Sequence, residues 1–172
     1  LVHEAERSGI PLTVYQNRRW DADFRTVRAL LDAGTLGEVT AFESRMEQYP
    51  PPGGFSVTGG GVLRDFGSHV ADQALQLFGP AAAVYAETHL RPEDGFDDRF
   101  FLALRHAAGV TSHLHGDWTL HGAPGPRFRV TGQAGTFAVD SDDGQSERLL
   151  SGETEIPGPF GTSRTEVTGR PG

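Results

Sequence analysis

The chain has no cysteine and no lysine. Cys is 0, and all 15 cationic residues are arginine. The first absence excludes disulfides and thiolate chemistry, and it fits a reducing cytoplasm, which is the expected location. The second means that any mechanism needing an amine side chain must take it from outside this chain. Long hydrophobic runs are also lacking: nothing approaches the ~20 apolar residues of a spanning helix. The opening LVHEAERSGIPL is too polar for a signal peptide. A positive balance is lacking as well, since the formal net charge is -8. Neutralising nucleic-acid phosphates needs a basic surface, and an anionic membrane needs a basic amphipathic helix. Neither nucleic acid nor membrane is therefore an expected partner.

What the chain does have suits an ordinary globular domain. Its 172 residues are 37% hydrophobic and 22% charged, enough for one domain with a real core. With 23 glycines and 11 prolines, turns are frequent. Leu1 to Ser8 reads as a helix already under way, stopped by Gly9, and the chain opens without methionine. The expectation is a piece of something longer.

Pro11 to Tyr15 alternates like a short buried strand. From Asp21 to Ala33, apolar residues at Phe24, Val27, Leu30 and Leu31 follow helical spacing, with Asp21 able to cap the start and Gly34 the end. The turn AGTLGE leads to a strand over Val39 to Met46, and Tyr49 to Gly61 reads as a loop. Further on, strands are expected over Val84–His89, Arg99–Arg105 and Val110–Trp118. A hairpin over Arg127–Thr131 and Thr136–Val139 follows, and Gln145–Leu150 offers a last strand. The remainder, residues 151–172, reads as a flexible or truncated end. Consecutive strands with short turns are antiparallel neighbours, so the predicted fold is α+β: an open, mostly antiparallel sheet with helices on one face.

The run GGGVLRDFGSHVADQALQLFG, Gly59 to Gly79, carries the most chemistry. It places Asp65, His69 and Asp72 at helical spacing, while Val70, Ala74, Leu77 and Phe78 give a face to bury. An imidazole beside a carboxylate is the minimum equipment for moving a proton near neutral pH, and the carboxylate can raise its pKa from about 6.5. The alternative is that Asp65 only caps the helix and His69 is a buried, hydrogen-bonded histidine. Asp72 either orients His69 or pairs with an arginine. His113 and His115 alternate on a strand and invite a metal check together with His121, but two such histidines are most simply polar residues of an exposed sheet face. No metal site is expected. Phe100, Leu102 and Leu104 with Val110, Ser112 and Leu114 are candidate apolar rows on the sheet face that helices leave free.

Taken together, VYQNRRWDADF, LLDAGTLGEVTAFESR, the Gly59–Gly79 run and RFRVTGQAGTF resemble the later part of a glucose–fructose oxidoreductase/inositol dehydrogenase/MocA family protein. The G-x-L-G-x-V turn and the D-x-G-x-H-x-x-D helix carry the resemblance jointly. It implies a glyceraldehyde-3-phosphate dehydrogenase-like C-terminal domain in a two-domain oxidoreductase using NAD or NADP. The family's G-x-G-x-x-G fingerprint and Glu-Lys-Pro segment have no counterpart here, and Gly59, Gly60 and Gly61 precede a helix after a loop, the wrong context for such a fingerprint.

By this resemblance, residues 1–16 end a cofactor-binding Rossmann domain, 17–150 form a substrate and dimerisation domain, and 151–172 form the closing segment. His69 resembles the general acid/base and Asp65 its partner. Asp72 is assigned to substrate, and Asn17 and Arg18 to the cofactor side of the domain junction. The implied partners are a sugar, inositol or similar polyol, a nicotinamide cofactor reached through the Rossmann domain, and a second copy of the chain. No cofactor is expected on this chain alone. The competing expectation is a non-catalytic oligomerisation and binding module in which Asp65 and His69 are structural.

Overall fold

A computed structural model describes residues 1–48, 60–140 and 151–152. Helix α1 (Val2–Ser8) is followed by an extended stretch, a 3-10 turn (Asn17–Trp20) and helix α2 (Ala22–Asp32). Strand β1 (Val39–Glu47) comes next, then a π-helical turn (Leu63–Gly67) continuous with helix α3 (Ser68–Phe78). Five strands complete the order: β2 (Ala81–Leu90), β3 (Asp97–His106), β4 (Thr111–Asp117), β5 (Phe128–Gly132) and β6 (Thr136–Val139).

The six strands form one sheet in the order β2-β3-β4-β1-β5-β6. Every neighbouring pair is antiparallel except β1 with β4. That parallel pair follows from the helical crossover. The chain leaves β1, returns along α3, and enters β2 in the direction of β1. Two hairpin reversals then lay β4 beside β1. The expected α+β architecture is the one observed.

Helices α2 and α3 cover one sheet face. Phe24 and Val27 of α2, and Val70 and Ala74 of α3, are buried against Phe42, Phe100, Leu114, Phe128 and Val130 from the strands. Gly34, at φ 66, ends α2 in the left-handed region where glycine carries no Cβ penalty. Asp21 sits at the N-cap of α2, and its carboxylate accepts from Arg18 Nη1 at 3.1 Å.

Three expectations change. Pro11–Tyr15 pairs with no strand among the described residues, and Leu12, Val14 and Tyr15 are 55%, 80% and 76% exposed. Alternation marks a strand only where a sheet edge is present to receive it. The rows Phe100, Leu102, Leu104 and Val110, Ser112, Leu114 are buried on the helix side, not offered on the free face. Period-2 patterning fixes which residues share a face but not which face meets the helices. Finally, the helix expected from Asp65 begins with a π-helical turn. The strand expected at Gln145–Leu150 lies outside the described residues, as does most of the loop from Tyr49 and of the closing segment.

Candidate active site

The π-helical turn and α3 lie on the sheet through close contacts that the sequence pattern prepares. Phe66 is buried edge-on to Trp118, with ring centroids 6.0 Å apart. A Cβ on Gly67 would sit 3.4 Å from the Phe100 ring and 2.8 Å from Leu63, so glycine brings the helix down onto the sheet. The cap of the helical run is not Asp65. It is Asp97 of β3, whose carboxylate accepts the Leu63 N–H at 2.6 Å. Asp65 is exposed.

His69 is partly buried, and its Nδ1 is buried with no hydrogen-bond partner among the described residues. Buried polar atoms are ordinarily satisfied, and the His69 nitrogen shares this state with Gln16 Oε1, Arg45 Nε and Arg91 Nε. Its pKa is lowered, first by burial and then by the positive charge of Arg18, against the smaller upward pull of Asp65 and Asp21; Arg127 adds to the lowering. The upward shift that a neighbouring carboxylate suggests from sequence is thus outweighed. Desolvation and arginine favour the neutral ring.

The 3-10 turn Asn17–Trp20 is fastened to α3 at two points. Arg19 grips Asp72 with two guanidinium nitrogens, Nε at 2.7 Å. Gln73 Nε2 donates to the Arg18 carbonyl at 2.9 Å. The structure therefore brings Arg18, Asp65 and His69 into one neighbourhood, with Asn17 on the same turn, and engages Asp72 with an arginine.

Behind them lies a buried polar group that the sequence reading missed. Arg127 of the loop before β5 reaches Ser44 Oγ at 2.8 Å, Gln73 Oε1 at 2.9 Å and Asp23 Oδ2 at 3.4 Å, and its guanidinium lies 4.1 Å from the Phe128 ring centroid. An aspartate in the first turn of an amphipathic helix reads as exposed. Only the tertiary structure, which brings Arg127 to the start of α2, reveals Asp23 as a buried partner.

A cavity of about 260 Å³ opens beside the turn, lined by Arg18, Arg45, Glu47, Phe66, Arg127 and Asp140 among others. A second depression of about 310 Å³ includes His89, Arg99, Phe101 and His115, and none of the groups whose charges act on His69. The first shares Arg18 and Arg127 with the charged groups that act on His69, while His69 itself lines neither cavity. On the sheet face that no described helix covers, the Phe101 ring lies 5.0 Å from His115 and 5.8 Å from His113. No group of three or more His, Asp or Glu suited to a metal ion occurs among the described residues. No described helix is long and apolar enough to cross a membrane.

The match to known proteins is extensive. A family model described as the GFO/IDH/MocA C-terminal domain matches residues 24–138. The scyllo-inositol 2-dehydrogenase (NADP(+)) IolW of Bacillus subtilis is 32% identical over 99% of this chain and 49% of its own length. An oxidoreductase structure from Yersinia pestis superposes with TM-score 0.78 at 34% identity, covering 96% of this chain and 48% of that one. An Agrobacterium radiobacter oxidoreductase, in complex with NAD+, L-tartaric acid and magnesium, matches with TM-score 0.63 at 26% identity over 80% of this chain and 43% of its own. The chain thus spans about half the length of the relatives it matches.

Proposed function

This chain belongs to the GFO/IDH/MocA family as a C-terminal domain of an oxidoreductase, and from that premise we propose that it is the substrate-binding and dimerisation part of an NAD(P)-dependent enzyme oxidising a hydroxyl-bearing carbon of a sugar, inositol or similar polyol. The observation that carries the reading is His69, with its orphaned, buried Nδ1 on a helix facing the Asn17–Trp20 turn. The inositol dehydrogenase relative and the NAD+-bound neighbour support the substrate and cofactor classes. One is named for NADP+ and the other holds NAD+, so the pair leaves the choice of nicotinamide open.

The residues present fit only the reacting end of such a cofactor. No glycine-rich pyrophosphate loop occurs in the chain, and Asn17 and Arg18 lie on the turn next to His69. When bound, the nicotinamide supplies a hydride acceptor. The neutral His69 imidazole would accept the O–H proton of an alcohol that gives up its C–H as hydride, leaving a carbonyl and an imidazolium. Burial and Arg18 keep His69 neutral and ready to accept. The negative charge of Asp65 favours the imidazolium that forms. Asp72, through Arg19, serves the site by holding the turn, and any substrate contact it makes is shared with that ion pair.

Residues 1–16 are read as the closing elements of a Rossmann domain. Leu1, Val2, Ile10, Leu12, Val14 and Tyr15 are all exposed, as expected of a helix and strand whose sheet lies elsewhere in the parent protein. Residues 17–150 form the substrate domain, and its free sheet face is the surface for a second copy.

The decisive experiment is kinetic. In the parent enzyme, His69→Ala should lower kcat by about 10²–10⁴-fold with cofactor affinity nearly unchanged. A loss of no more than about twofold would make His69 structural. The 172-residue chain alone should show no micromolar binding of NADH or NADPH by calorimetry.

A further inference from the structure

We propose that Gln73, held by the buried guanidinium of Arg127, is a positioning residue that fixes the Asn17–Trp20 turn, and with it Arg18, against the helix that carries His69; the inference rests on the reading of His69 as the proton acceptor. Gln73 is fully buried, at 0% exposure, and both ends of its amide are used. The oxygen accepts from Arg127 Nη2 at 2.9 Å and the nitrogen donates to the Arg18 carbonyl at 2.9 Å. Arg127 is itself anchored to Ser44 Oγ, the Arg45 carbonyl and Asp23. A continuous polar path therefore runs from β1 and α2, through Arg127 and Gln73, to the backbone of the turn.

Three features separate this path from a generic core network. Gln73 lies four residues after His69, so the two share a face of α3, and the tie is made on the side where the imidazole acts. The other tie between turn and helix, Arg19 with Asp72, is more exposed, and exposed ion pairs hold geometry weakly. Last, only an amide meets both demands. A carboxylate would satisfy Arg127 but cannot donate to a carbonyl, and an apolar side chain does neither. The charged groups acting on His69 are Arg18 from the turn, Asp21 from the start of α2, Asp65 from its own helical run and Arg127 from the loop before β5. Of these, Arg18 is the one whose backbone Gln73 holds.

The test is NMR titration of the His69 imidazole in the full 172-residue chain. Gln73→Met should raise the midpoint by about half a pH unit, because the released turn takes the Arg18 charge away. Arg18→Gln alone should raise it comparably, and the double variant should show no more than Arg18→Gln. A folded Gln73→Met chain with an unchanged midpoint would overturn the proposal, as would additive shifts in the double variant. Should Gln73→Met fail to fold, Gln73→Glu retains the Arg127 contact, removes the donor and adds a negative charge, so it is read by amide exchange and not by the His69 midpoint. Exchange of the Arg19 amide, which donates to the Gln16 carbonyl at 3.3 Å, should then quicken at least about tenfold as local opening becomes easier. Unchanged exchange would equally overturn it. Because these measurements read geometry and not turnover, a parent enzyme indifferent to His69→Ala would remove the proposed function and leave the coupling intact.

Discussion

Asp97 and Leu63 stand 34 positions apart, yet the Asp97 carboxylate accepts the Leu63 N–H at 2.6 Å. A strand of the sheet thereby caps the helical run that carries His69. The arrangement explains a glycine in the Gly59–Gly61 triplet: a Cβ on Gly61 would lie 2.0 Å from Asp97 Oδ1. Capping and close approach are one device.

Asp97→Ala should therefore destabilise the chain by about 1–2 kcal/mol, the usual worth of a helix cap. Gly61→Ala should cost at least as much, since Asp97 must move aside. Urea denaturation reads both, and a Gly61→Ala chain as stable as the parent sequence would separate the glycine from the cap.

Stability should depend on pH through two imidazoles. His69 and His115 both have lowered pKa values, chiefly because burial disfavours the charged ring. The unfolded chain then binds more protons than the folded one below its own midpoint near 6.5. Stability from this source is complete above about pH 6.5 and is lost as pH falls through the lowered folded values. His115→Gln should flatten that decline in denaturation curves taken from pH 8 to pH 5. An unchanged slope would show that His115 titrates normally. In the parent enzyme the acid limb of kcat should lie below 6.5.

Residues 1–16 offer a test of domain organisation. Leu12→Asp and Val14→Asp replace exposed side chains and should leave the stability of this chain within about 0.5 kcal/mol. In the parent protein the same changes should lower the melting temperature sharply, because the residues would enter another core. Equal, small effects in both would place the segment on the surface of the whole protein.

The free sheet face provides the fourth prediction. Phe101 sits among Tyr85, His113 and His115 at centroid distances of 6.4, 5.8 and 5.0 Å, an aromatic centre of the kind that dominates interfaces. The chain should self-associate in sedimentation experiments, and Phe101→Asp should shift it toward monomer without unfolding it. A strict monomer at high concentration would remove the dimerisation role.

Local periodicity made much of the fold legible. The apolar spacing of Phe24, Val27, Leu30 and Leu31 marked α2, and alternation marked β3, β4, β5 and β6 close to their observed limits. The 3-4 spacing of Asp65, His69 and Asp72 marked the helical run. Such signals survive because each depends only on neighbours a few residues away. The same reasoning misled at Phe100, Leu102 and Leu104, where it could not tell the covered face from the other one, and at Pro11–Tyr15 it marked a segment that joins no sheet among the described residues.

The sequence by itself determined the helices and most strands, since propensity, period and turn chemistry are local properties; His69 is singled out only by adding a family resemblance to its spacing. Tertiary structure alone decided that β1 lies between β4 and β5, that Asp97 rather than Asp65 caps the helix, and that Asp72 is committed to Arg19. It also decided that Arg127 and Asp23, ordinary surface types in any linear reading, meet in the interior. Those outcomes arise from contacts between residues tens of positions apart, and desolvation, which sets both their strength and the lowered pKa of His69, exists only once the layers have closed.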